Sequence, residues 1–189
     1  MPDKNDIYLA LLRGINVGGK SKVNMADLKS CFEKLGYSRV QTYANSGNVI
    51  FTAASTDPRQ LESQLEEALA TNFSSSIGVF IRSLDDMKEV MQEIPTDWQT
   101  GSERKYDIIF LHQEIDHPNI IHELQPKPGI EELKYRPGVL FWSVNIRDFS
   151  RSNMSKIIGT DTHQEMTVRG PGTIRKVCEL MSALDERMN

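Results

Sequence analysis

The sequence predicts an α+β fold of two ferredoxin-like βαββαβ subdomains, each an antiparallel sheet with helices on one face. Three observations carry this prediction. Apolar strand-like runs at 7–13 and 106–112 each precede a helical stretch. In both halves a pair of short strands then follows around a glycine turn, Asn45-Ser46-Gly47-Asn48 in one and Pro137-Gly138 in the other. A further helix and a closing strand complete the same order twice, and a hairpin in the middle of such a unit marks the split βαβ arrangement.

The elements follow in turn. The run 7–13 is apolar enough for a buried central strand. Asn24 can cap the next helix, Asp27 stands three residues on, and Met25, Leu28, Phe32 and Leu35 recur at helical spacing up to Gly36. Strands at 40–44 and 48–51 make the hairpin, a helix at 58–73 carries Leu61, Leu65, Ala68 and Leu69 on one face, and a strand at 77–82 closes the unit. Ser83 caps a connecting helix, and the polar stretch from Pro95 to Glu103 reads as a linker. The second unit is read as a strand at 106–112, a short helix at 118–124, a hairpin at 133–136 and 139–144, a helix at 151–158 and a strand at 165–168. The last helix has Ile174, Val177, Met181 and Leu184 on one face. The expected division is therefore 1–83, a connecting helix and linker at 84–104, and 105–189.

Composition narrows the function classes. With 39% hydrophobic residues in 189, the chain has material for a core, and its net charge of −4 offers no overall attraction to nucleic acid or an anionic membrane. The charge is unevenly spread: residues 1–55 hold seven basic side chains against four acidic ones, so an anionic partner is expected there. Two cysteines, Cys31 and Cys178, exclude a disulfide framework and suit a reducing compartment. The apolar run Ile7–Leu12 is too short for a signal-peptide core or a bilayer span. A cytoplasmic location without membrane attachment is the expectation.

Gly14, Gly19, Lys20 and Ser21 satisfy the P-loop spacing G-x-x-x-x-G-K-S directly after a strand. In that motif the Lys and Ser open the helix, whereas the capping signals here start it at Asn24, and a hairpin replaces the parallel crossover. Two readings remain for the glycines: turn residues, or an anion site that does no hydrolysis. Chain direction brings the loop 14–23 and the hairpin 45–48 to the same end of the sheet. That edge collects Arg13, Gly14, Asn16, Gly19, Lys20, Asn45, Ser46 and Asn48 beside a helix N-terminus, where amides and dipole favour a phosphate or carboxylate. Arg169, before the glycine-rich entry into the last helix, is a further anion candidate, its alternative being a structural ion pair.

Other constellations carry less. His112, His117, His122 and His163 fit no usual metal spacing, so neither a metal nor another cofactor is expected. Ser152 and Lys156 lie four apart on an expected helix, and Glu131-Glu132 and Asp85-Asp86 diverge on either a strand or a helix. Trp98 and Trp142 read as linker packing and sheet core, since neither sits among basic residues. No residue is assigned a catalytic role.

The runs LLRGINVGGKSKVNM and TYANSGNVIF closely resemble the N-terminal signature of the domain-of-unknown-function family 1697, small bacterial proteins of about this length. MTVRGPGT at 166–173 is similar to the family's C-terminal turn in Arg169 and Thr173, but has Gly170 and Pro171 where the family has asparagine and tryptophan. The resemblance implies two ferredoxin-like subdomains and no activity. It makes Arg13, Gly14, Asn16, Gly18, Gly19, Asn45, Ser46, Gly47 and Asn48 the matching positions for whatever site exists.

Three functions are then in contention. The first is a binding or regulatory protein holding a small anionic ligand on the first loop. The second is an enzyme acting on a phosphorylated small molecule, with Lys20 or Arg13 stabilising charge. The third is RNA or single-stranded DNA binding through a sheet face, which is disfavoured because the first and third strands offer only Tyr8 and Phe51 for stacking. The oligomeric state is left open.

Overall fold

A computed structural model of the chain describes residues 5–16, 23–99, 101 and 103–188. The first half contains β1 (Asn5–Arg13), α1 (Met25–Lys34), β2 (Ser38–Tyr43), β3 (Asn48–Ala54), α2 (Pro58–Phe73), β4 (Gly78–Ser83) and α3 (Leu84–Glu93). The second contains β5 (Arg104–Leu111), α4 (Ile120–Leu124), β6 (Glu131–Arg136), β7 (Val139–Asn145), α5 (Asp161–Gln164), β8 (Met166–Arg169) and α6 (Pro171–Met188). Strand orders are β2-β3-β1-β4 and β6-β7-β5-β8, with every pair antiparallel. Placing the third strand of each set between its first and second is the split βαβ arrangement, so the chain adopts the expected α+β, ferredoxin-like topology twice. Two compact units result, Met1–Glu89 with Val177–Asn189 and Val90–Lys176.

In the first unit Tyr8, Ala10 and Leu12 of β1, together with Val49 and Phe51 of β3, form one sheet face, and Leu28 and Phe32 of α1 and Leu61, Leu65 and Leu69 of α2 cover it. Asn24 caps α1 as its sequence position suggests, accepting from the Ala26 amide at 2.7 Å. The edge strand β4 is protected by α2: Glu66 accepts from the Val79 amide at 2.9 Å and Glu62 from the Ile81 amide at 2.8 Å, which removes donors that would otherwise invite another strand. Ser83 and Asp86 cap α3 reciprocally, with the Asp86 amide donating to Ser83 Oγ at 3.1 Å and the Ser83 amide to Asp86 Oδ2 at 3.3 Å.

The second unit repeats the topology with thinner cover. Ile109, Leu111, Leu140, Trp142 and Val144 face Ile120 and Leu124 of α4 and Met154. The helix expected at 151–158 does not form; 3₁₀ turns at Ile146–Arg151 and Met154–Lys156 stand in its place. Serine side chains compete with the helical ladder here. Ser152 Oγ donates to Phe149 O at 2.9 Å and accepts from the Ser155 amide at 3.1 Å, and Ser155 Oγ donates to Ser152 O at 2.9 Å. Ser152 is fully buried in that network, so it is a structural hydroxyl and not a Ser-Lys nucleophile.

The buried Glu131 was one of an adjacent pair of acids in the sequence, and it is the polar centre of this unit. Its oxygens accept from Trp142 Nε1 at 2.9 Å and from the amides of Lys127 at 3.0 Å, Asn153 at 2.7 Å and Met154 at 3.4 Å. Glu132 points the other way and pairs with Arg104 at 3.0 Å. Trp98 stacks on Tyr106 with ring centroids 4.7 Å apart.

Candidate functional site

The first loop and the hairpin meet at one end of the first sheet. Asn16, in the left-handed region at φ 54°, is the clamp: its Nδ2 donates to Asn45 O at 2.9 Å and to Val23 O at 3.2 Å, while its Oδ1 accepts from the Val23 amide at 2.9 Å. Asparagine tolerates that backbone conformation better than other non-glycine residues, and its amide supplies both the donor and the acceptor that the clamp needs. Asn16 and Val23 are thereby bonded to each other across six residues of sequence.

The hairpin is built to seat against this clamp. Gly47 has φ 75° and lies so close to the end of β1 that an added Cβ would collide with Ile15 Cδ1 and stand 2.8 Å from Leu12 Cβ. Its carbonyl accepts from the Leu12 amide at 2.8 Å. Asn48 is fully buried, and its Nδ2 donates to Tyr43 O at 2.8 Å and Ser46 Oγ at 3.1 Å. Asn16, Gly47 and Asn48 therefore hold the edge together. Gly14, Asn45 and Ser46 are exposed on it and Arg13 is half-buried. Gly19 and Lys20, the other two residues expected at this edge, lie outside the described residues, as do Gly18 and Ser21.

The described residues depart from a P-loop in topology: α1 starts at Met25, and β1 is antiparallel to both of its neighbours, where that motif follows a strand of a parallel sheet. The stacking reading has no ring to use at its two named positions. Tyr8 and Phe51 are register partners with centroids 5.8 Å apart, and both are buried beneath the helices.

Arg169 belongs to the second unit. It is only 7% exposed, its Nη1 donates to Thr167 Oγ1 at 2.9 Å and Val168 O at 2.8 Å, and burial lowers its pKa to about 10. At neutral pH it remains a cation. Arg82 sits at the equivalent place in the first unit, where its Nη1 donates to Ile81 O at 2.7 Å. An arginine folding back on the preceding carbonyl at the end of the last strand is thus a device that both units share.

Sequence spacing concealed one cluster. His112 Nδ1 lies 2.8 Å from Glu165 Oε2, and one ligand atom each from His112, Glu114 and Glu165 falls within 4.8 Å of the others. The backbones are joined as well, the His112 amide donating to Glu165 O at 3.0 Å. The contact fastens the end of β5 to the start of β8, an association that chain separation hides. Both thiols are buried, and burial pushes the Cys178 pKa up to about 12. Burial also raises that of Cys31 against the opposing effect of Lys34, so neither suits a nucleophilic role. Among the described residues no helix is long and apolar enough to cross a membrane.

The profile of a family described as "Protein of unknown function (DUF1697)" matches residues 6–141. No curated protein matches the chain. Among solved structures, a conserved bacterial protein from Streptococcus pneumoniae is 26% identical over 94% of this chain and 99% of its own, with a TM-score of 0.79. An unknown protein from Galdieria sulphuraria is 9% identical over 88% of this chain and 97% of its own, with a TM-score of 0.27.

Proposed function

The chain belongs to the DUF1697 family of proteins of unknown function, and we propose that it is a binding protein for a small anionic ligand, held on the edge formed by its first loop and hairpin. The observation that carries this reading is the Asn16 clamp, which holds Asn16 and Val23, the residues flanking a sequence rich in glycine and lysine, together and bonds Asn16 to the exposed Asn45-Ser46 tip. Glycines allow backbone amides to approach an anion closely, and Lys20, Lys22 and Arg13 supply positive charge. The ligand carries a phosphate or a carboxylate. Lys20 contributes attraction, while Asn16, Gly47 and Asn48 keep the edge in shape. The two free buried thiols suit a reducing, cytoplasmic setting.

Calorimetric titration with inorganic phosphate, pyrophosphate and a short dicarboxylate tests the reading. At least one of these anions is expected to bind the native protein, and Lys20→Ala to bind it about tenfold more weakly with unchanged thermal stability, as for one lost charge-assisted contact. Equal binding by Lys20→Ala, or no heat from any of the anions, would remove the support for this site.

A further inference from the structure

We propose that the second unit holds a separate pocket for a small, uncharged aromatic molecule bearing a hydroxyl or amide group. The pocket has a structural origin. In the first unit the 16-residue α2 lies over the sheet between β3 and β4. The corresponding stretch of the second unit is two 3₁₀ turns and the four-residue α5. Part of the sheet is left uncovered, and a cavity of about 160 Å³ opens over β5, β7 and β8.

Its walls select an aromatic ring. Trp142, Phe149, Met154 and Met166 all line it, and thioether sulfurs and ring faces both make favourable contacts with a π system. The volume is close to the roughly 150 Å³ of an engineered apolar cavity that takes up benzene. Ile158 and Val168, 65% and 38% exposed, also line the cavity. They are two of the four large apolar side chains exposed among the described residues, a grouping that favours a ligand over chance exposure.

The polar end selects the substituent. Lys105 and Asp107 alternate onto the same face of β5 and form an ion pair there, and the Lys105 ammonium lies 5.0 Å from the centre of the Trp142 ring and 5.7 Å from that of Phe149. At the register position of Asp107 in the other unit stands the buried core residue Tyr8: Leu111 and Leu12 donate equivalently to Gly138 O and Gly47 O, which aligns Asp107 with Tyr8. A carboxylate thus replaces a core aromatic. Lysine and aspartate neutralise each other, so a charged ligand would compete with one partner and strand the other in an apolar wall. A neutral group that donates to Asp107 and accepts from Lys105 meets both.

The test uses protein labelled with ¹³C at the methionine methyls and titrated with phenol, benzene, benzoate and cyclohexanol. Phenol is expected to shift the Met154 and Met166 signals saturably, with benzene, benzoate and cyclohexanol each binding about tenfold more weakly. Filling the pocket by Val168→Phe should abolish the shifts. Lys105→Met, a change at a half-exposed residue, should erase the preference for phenol over benzene whether or not Val168→Phe folds. The proposal is overturned if phenol leaves both methyl signals unmoved. Equal binding of benzene or of cyclohexanol overturns it too, as does a preference for phenol that survives Lys105→Met.

Discussion

Gly47→Ala is expected to destabilise the protein by about 3 kcal/mol, combining the cost of a left-handed backbone with that of overpacking. The backbone at φ 75° is strained for any residue with a Cβ, and the new methyl would collide with Leu12 of β1 and with Ile15 just after it. Neither neighbour has room to yield, since Leu12 and Ile15 are themselves buried in the first core. Urea denaturation followed by far-ultraviolet circular dichroism measures the loss. Gly36→Ala is the natural control: it too has positive φ, at 90°, but an added Cβ would meet nothing within 4 Å. Its cost should be limited to backbone strain, about 1–2 kcal/mol. A Gly47→Ala cost no greater than the control would mean that the hairpin is not wedged against β1.

Glu131→Gln is expected to cost a similar amount, roughly 3–4 kcal/mol. All four of its partners are N–H donors: the Trp142 indole and the amides of Lys127, Asn153 and Met154. A glutamine keeps one oxygen and turns an NH₂ group toward donors it cannot accept from, leaving buried N–H groups unsatisfied. The residue joins the loop before β6, the core of β7 and the 3₁₀ turn, so its loss should loosen all three. Near-ultraviolet circular dichroism of Trp142 reports this directly: a weakened tryptophan band is expected in the variant under native conditions. An unchanged band and an unchanged denaturation midpoint would show that Glu131 is dispensable.

These two residues also show what could be read in the chain. Gly47 was legible, because a glycine between two short strands marks a turn that needs positive φ, and topology alone put that turn beside the first loop. Asn24 as a cap, the 16 residues of α2 and the strand pattern were legible for the same reason: each rests on local chemistry or periodicity. Glu131 was not. Its partners come from residues 127, 142, 153 and 154, and only the folded chain brings them together. The helix expected at 151–158 failed because periodicity counts apolar positions and does not register Ser152 and Ser155 bonding to the backbone. At the first site, the residue types pointed to an anion, but the same types serve as scaffold. Asn16 and Asn48 spend their amides on the protein's own backbone, a division of labour that no spacing rule reveals.

An anion-binding edge made by the first loop and hairpin should respond to its ligand residue by residue. Amide chemical-shift mapping of the native protein titrated with pyrophosphate reads this response. Saturable shifts are expected at Gly14, Asn45, Ser46 and residues 17–22, weakening as salt is raised. Shifts confined to other surfaces, or none at pyrophosphate concentrations that saturate ordinary phosphate sites, would contradict it and leave the glycines and asparagines of this edge with a structural role alone.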